Sequence, residues 1–175
     1  RDFCLSRGLG DVYKRQPNDY AARADLMWAG MLAHNDSCGV GRRQDWASHQ
    51  IEHELSAFYD CAHGAGLAVI MPAWMRYCAD HHDGLRMAQM AVRVFGCQMD
   101  FADPRRTALE GIAAFRAFLK SMGMPLTFAE IGADPADIPK LVEMNHVGNG
   151  VTGGYVGLTS DAIREIYEIA AGLRD

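Results

Sequence analysis

The segment Leu67–Tyr77, L-A-V-I-M-P-A-W-M-R-Y, is apolar nearly all the way round a helical wheel. A helix that is apolar on every side is stable only where other elements cover it on every side. The segment therefore predicts a central buried helix wrapped by amphipathic ones. A buried parallel strand over Leu67–Met71 is the rival reading, but no second comparable strand exists to pair with it. Pro72 removes an N–H from the segment and predicts a kink or one unpaired carbonyl.

From Pro17 onward the other elements read as helices. Asn18 or Asp19 can cap a helix with Ala22, Leu26, Ala29 and Leu32 at helical spacing. Ser37–Arg43, S-C-G-V-G-R-R, is a glycine-bearing break; it lacks the G-x-G-x-x-G pattern and no strand precedes it, which argues against a phosphate loop. Asp45 is placed to cap a helix running to about Tyr59, and Asp60–Gly66 reads as a turn. Asp80–Gly84, D-H-H-D-G, reads as a solvated loop that carries His81 and His82. Leu85–Phe95 is amphipathic, Gly96–Asp103 breaks it, and Arg105–Met122 is a long helix with Ala108, Ile112, Phe115 and Leu119 on one stripe. Gly123–Pro125 stops that helix, and Thr127–Gly132 and Asp137–His146 are short helical pieces. Val147–Leu158 is a glycine-rich loop, and Thr159 caps a last helix to about Leu173. There is no repeat, no alternating strand pattern and no heptad seam, so the expected fold class is all-α.

The net charge of −5 gives no electrostatic reason to expect nucleic acid or an anionic membrane as partner. No apolar run reaches the roughly 18–20 residues that a membrane-spanning helix needs, and no signal-peptide pattern is visible. The five cysteines, Cys4, Cys38, Cys61, Cys78 and Cys97, are odd in number and form no C-x-x-C pair. Free thiols and a cytoplasmic location are the expectation.

The chemistry points to Asp45–Gly66, which holds His49, His53 and His63. Imidazole is the commonest protein ligand for a transition metal. His49 and His53 are four apart and share one face of a helix; His63 follows ten residues after His53 and could fold back towards them. Three imidazoles with a water in the fourth place is a catalytic zinc set. The order Glu52–His53–Glu54 does not make the H-E-x-x-H of metalloproteases. The plain alternative is that His49 and His53 are ordinary core or surface histidines. Cys61 lies near enough to be a ligand, although a small buried apolar role explains it as well.

The segment Trp46–Trp74 resembles the iron-containing alcohol dehydrogenases, and within them the butanol-dehydrogenase-like branch. It carries H-x-x-x-H, then H-G ten residues later, then an apolar helix with a proline, here His49, His53, His63–Gly64 and Pro72. The similarity extends through D-Y-A-A-R-A-D-L-M-W-A near the start, F-L-K-S-M-G-M-P-L-T-F-A-E-I-G, and L-T-S-D-A-I-R-E-I-Y at the end. The resemblance implies a divalent metal, Fe2+ or Zn2+, held by His49 and His63, with His53 in the active-site cleft as a catalytic group. It further implies NAD or NADP as cofactor, a primary alcohol or aldehyde such as butanol or butyraldehyde as substrate, and a homodimer in the full-length enzyme. The family's other two ligands lie in an upstream D-x-x-x-H, and none occurs between Pro17 and Asp45. Nor is a glycine-rich pyrophosphate loop present. Residues 17–175 are therefore expected to be the C-terminal, all-helical half of a two-domain enzyme. A non-redox helical metal-binding module and a metal lyase of the dehydroquinate-synthase kind are the alternatives.

Residues 1–16 do not resemble the rest. Asp11–Gln16, D-V-Y-K-R-Q, is the translation of GAT GTG TAT AAG AGA CAG, a transposon-end adapter used to fragment DNA for sequencing. We expect residues 1–16 to be a sequencing scar, to be set aside from fold reasoning. Sequencing a complete clone of the source locus tests this: it should read through different codons at this point, and finding the same codons in an intact gene would remove the idea.

Overall fold

The computed structural model of the chain describes residues 19–148 and 150–174. The stretch 1–16 lies outside the described residues. Among these there are seven α-helices, two short 3-10 turns and no strand, so the fold is all-α as expected. The helices are α1 (Tyr20–His34), α2 (Ala47–Tyr59), α3 (His63–His81), α4 (Leu85–Phe95), α5 (Pro104–Ser121), α6 (Ile138–Met144) and α7 (Ser160–Ala170). No helix among the described residues is long and apolar enough to cross a membrane.

The chain divides into two compact units, one up to Gln44 and one from Asp45 onward. In the first, the Asp19 carboxylate accepts the Ala22 amide at 3.1 Å and starts α1. Helix α1 ends at His34 with Asn35 as its cap, Asp36 then turns left-handed at φ 64°, and the expected glycine-bearing break follows, bound together by the Gln44 amide on the Asp36 carboxylate.

The second unit is arranged around α3, of whose nineteen residues eleven are buried. Helices α2, α5 and α7 pack against it. They contribute Ile51 and Leu55, Ala108 and Ile112, and Ile163, Ile166 and Tyr167 to one core. Tyr167 ties this core together: its hydroxyl donates to the Ile51 carbonyl at 2.7 Å and accepts from the Asn145 side chain at 3.1 Å. Burial raises its pKa well above the ordinary tyrosine range, which keeps it a donor.

Two expected boundaries of α3 move. The helix begins at His63, four residues before the apolar run, because Ala62 is extended (φ −61°, ψ 132°) and the two glycines lie inside the first helical turns. It runs on to His81, which is therefore helical and not part of a loop. There the His81 ring stacks on Tyr77 with centroids 4.2 Å apart, and its Nε2 donates to Glu165 of α7 at 3.0 Å. At the other end of the unit, α7 stops at Ala170 and not Leu173, and Gly172 turns left-handed at φ 74°.

Helices α4 and α5 form a close pair at Gly111. A Cβ on Gly111 would lie 2.3 Å from the Ala91 Cβ and 2.8 Å from its Cα. Ala108 and Ile112 of the expected stripe are buried, and Phe115 meets Phe95 at 6.1 Å between ring centres.

The described part of the glycine-rich stretch from residue 150 to 158 is a loop, as expected, but one held by specific bonds. Thr152 and Leu158 exchange backbone hydrogen bonds at 3.0 and 2.7 Å, and the Thr152 hydroxyl donates to Gln50 of α2. The cap residue of α2 is Trp46 and not Asp45 as expected, but the Asp45 side chain still serves the helix start from one position earlier. One carboxylate oxygen accepts the Ala47 amide at 2.7 Å, and the other accepts the Gly154 and Tyr155 amides at 2.6 and 2.5 Å. That single side chain clamps the loop to the start of the histidine helix.

Two predictions follow from packing alone. Gly111→Ala would gain helix propensity of roughly 1 kcal/mol in open surroundings, but here it forces α4 from α5 and should cost about 1–3 kcal/mol in thermal or urea unfolding. Gly30→Ala, with nothing within 4 Å, is the control and should be neutral or stabilising. The second concerns the thiols. Cys78 is fully buried, and burial pushes its pKa up to about 12. Cys38 is exposed. Ellman's reagent should modify Cys38 at once and leave Cys78 untouched until the chain is unfolded, as read by peptide mass.

Candidate metal centre

The site is built by the hairpin of α2 and α3. His49 and His53 leave α2 from one face, and His63 is the first residue of α3. The link is residues 60–62, made tight by a left-handed Asp60 at φ 51°. So short a connection brings the start of α3 back beside the middle of α2. The His49 and His63 ring centres are 5.1 Å apart, those of His53 and His63 5.2 Å, and those of His49 and His53 6.3 Å. Two imidazoles sharing one ion, at about 2.1 Å per bond, have ring centres roughly 5 Å apart. His63 meets this spacing with both neighbours. The three histidines picked out by spacing are thus brought together.

A fourth group stands among them that spacing did not single out. Glu52 is fully buried, and its carboxylate accepts from the Ser56 hydroxyl through one oxygen and from His63 Nδ1 through the other. Donor atoms of Glu52, His53 and His63 lie within 4.8 Å of one another. Ring spacing brings His49 to His63, whereas this donor-atom grouping brings Glu52 and His53. Ring spacing does not depend on which nitrogen faces inward, and it gathers His49 and His53 about His63. The signal for Glu52 was present in the sequence: Ser48, Ile51, Glu52 and Leu55 fall on one helical stripe, and all four are buried.

The surroundings differ on the two sides. His53 is exposed and lines an open cavity of about 370 Å³ with Gln50, Glu54, Asn145, His146 and Thr152. Trp46 sits edge-on to His49 at 5.0 Å. Cys61 is half-buried, with its sulfur 4.0 Å from the Ser56 hydroxyl, and it lines a separate cavity of about 440 Å³ beside Met124 and Pro125. It does not belong to the Glu52–His53–His63 donor group. Gathered imidazole nitrogens with a buried carboxylate beside them suit both Fe2+ and Zn2+, so the residues fit a divalent transition metal.

Residues 7–171 match the family model described as Fe-containing alcohol dehydrogenase family, C-terminal. The chain is 33% identical over 163 residues to the NADH-dependent butanol dehydrogenase A of Clostridium acetobutylicum, covering 91% of this chain and 41% of that protein. It is 34% identical over 157 residues to the NADPH-dependent aldehyde reductase YqhD of Escherichia coli, covering 89% of this chain and 40% of that protein. The crystal structure of NADH-dependent butanol dehydrogenase A from Thermotoga maritima superposes with a TM-score of 0.86 at 34% identity, over 96% of this chain and 43% of that one. The chain thus spans about two-fifths of the length of these relatives. An all-helical body, three gathered imidazoles and matches over nearly the whole sequence lead to one conclusion: this chain belongs to the Fe-containing alcohol dehydrogenase family.

Proposed function

We propose that residues 17–175 are the metal-holding C-terminal domain of a nicotinamide-dependent oxidoreductase that interconverts primary alcohols and aldehydes. The observation that carries this reading is the pair of ring spacings at His63, 5.1 Å to His49 and 5.2 Å to His53. The relatives named butanol dehydrogenase and aldehyde reductase supply the substrate class and the cofactor, NADH in one and NADPH in the other.

In this reading His49 and His63 hold the metal. When bound, the metal acts as a Lewis acid towards the alcohol or aldehyde oxygen, and the nicotinamide exchanges the hydride. The chain's own residues do the rest. His49 is half-buried beside Trp46, and His63 is anchored through Nδ1, so both rings are fixed before any ligand arrives. Fixed donors lose little entropy on binding. His53 is exposed on the rim of the polar cavity formed with the clamped loop. An imidazole there is placed to take up or give back the proton that accompanies hydride transfer. Gln50 and Thr152, hydrogen-bonded to each other, line the same rim and can orient a small polar substrate.

Two histidines leave most of a metal's coordination sphere to water. The 175-residue chain alone is therefore expected to bind Zn2+ or Fe2+ weakly in calorimetry and to show no oxidation of NADH or NADPH with butyraldehyde. A version extended upstream should show metal-dependent oxidation. His49→Ala or His63→Ala should abolish its metal binding, whereas His53→Ala should lower turnover and spare the metal. Tight metal binding by the short chain, with His53→Ala as damaging as His49→Ala, would replace this assignment with three local ligands. A metal-loaded extended protein without activity would leave a non-redox binding module.

A further inference from the structure

We infer that Glu52 is the positioning residue of the metal centre: it takes the Nδ1 proton of His63 in a hydrogen bond and so leaves Nε2 of that ring free to bind the ion. The inference rests on the proposed assignment of His63 as a ligand. Glu52 is fully buried, and no ion pair with Lys or Arg is seen for it among the described residues. A carboxylate out of water needs partners on both oxygens. Ser56, one turn along α2, serves the first and His63 serves the second. A carboxylate only accepts, so the proton of that bond sits on His63 Nδ1 and the neutral ring carries its lone pair on Nε2. With both oxygens engaged, Glu52 acts through His63 and is not itself a ligand. Carboxylates that hold ligand histidines in this way fix the tautomer and the ring plane.

Helix α3 is shaped to receive this side chain. His63 and Gly66 are three apart and share one face of α3. A Cβ on Gly66 would lie 2.1 Å from a Glu52 carboxylate oxygen and 2.8 Å from its Cγ and Cδ. Only a glycine leaves the space through which Glu52 reaches His63. Gly66 is thus part of the same device and not a turn residue.

The test uses the 175-residue chain and two probes, Zn2+ titration by calorimetry and nitrogen-15 NMR of the histidine rings at alkaline pH, where imidazole is neutral. In the unsubstituted chain His63 should carry its proton on Nδ1, and finding it on Nε2 would overturn the inference without any variant. Glu52→Met keeps the volume and removes the acceptor. It should weaken Zn2+ binding about 10- to 100-fold and release the tautomer of His63. The melting temperature of the metal-free chain should hold or rise, since an apolar residue tolerates that site. Glu52→Gln retains an accepting oxygen and should recover part of the affinity, which also decides the matter if the Met variant does not fold. If Glu52→Met binds Zn2+ as the unsubstituted chain does while His63→Ala does not, Glu52 has no such role and the metal site stands. If His63→Ala also binds normally, the site assignment falls and this inference with it.

Discussion

Burying α3 on every side is the constraint that the second unit answers. Each fully covered Val, Ile or Met contributes roughly 1.5–3 kcal/mol relative to exposure; Val69, Ile70 and Met75 all lie at 1% exposure or less. The helix also carries a proline and two glycines, which would make it a poor helix in isolation. Packing by α2, α5 and α7 overrides that weakness. The one charged residue within the apolar run, Arg76, leaves the core through an ion pair with Asp80 at 2.7 Å, and Arg105 of α5 joins it at 2.8 Å. Burial works against the Asp80 charge, but the two guanidinium groups outweigh it and hold this carboxyl below its usual range.

The same constraint places the chemistry. Helix α2 must lie along α3 to cover it, so Ile51 and Leu55 point inward. His49 and His53 then sit on a flank of α2, each two residues from Ile51. The tight link at Asp60 returns the chain to that flank, and His63 arrives with it. Asp45 adds the third boundary by fixing Gly154 and Tyr155 of the loop, which closes one wall of the cavity beside His53. The site is a by-product of how a single hairpin covers the core helix.

How much of this could be read from the chain differs by element. Periodicity is enough for the amphipathic helices, because each has one apolar stripe, and for α3, because it has none and is apolar all round; spacing places His49 and His53 together, because i, i+4 neighbours on a helix face alike, and leaves His63 to the turn. The start of α3 was misplaced because His-Gly-Ala-Gly reads locally as a turn; its glycines serve a contact with Glu52, and such a contact exists only once α2 is folded against it. Glu52 falls on the apolar stripe of α2, which signals its burial, but its partner in His63 exists only once the hairpin has folded. The fastening of residues 150–158 is equally hidden. It depends on Asp45, more than a hundred positions earlier, and local rules cannot see a bond of that separation.

Electrostatics gives a further reason for a buried carboxylate at this place. His63 is the first residue of α3, and the N-terminus of a helix carries the positive end of its dipole, equivalent to roughly half an elementary charge. A cation held by His63 would therefore sit at the wrong end of the most buried helix in the unit. An imidazole that binds a metal does so in its neutral form and brings no charge to offset this. Glu52 can offset it: its carboxylate, shielded from water and hydrogen-bonded to the His63 ring, sets a full negative charge against the half charge of the dipole end. A carboxylate on the protein surface at the same separation would be screened and would count for less. A helix start can serve as part of a cation site on this condition, that an anion is buried directly beside it, and α2 meets the condition by turning Glu52 inward, one residue before His53.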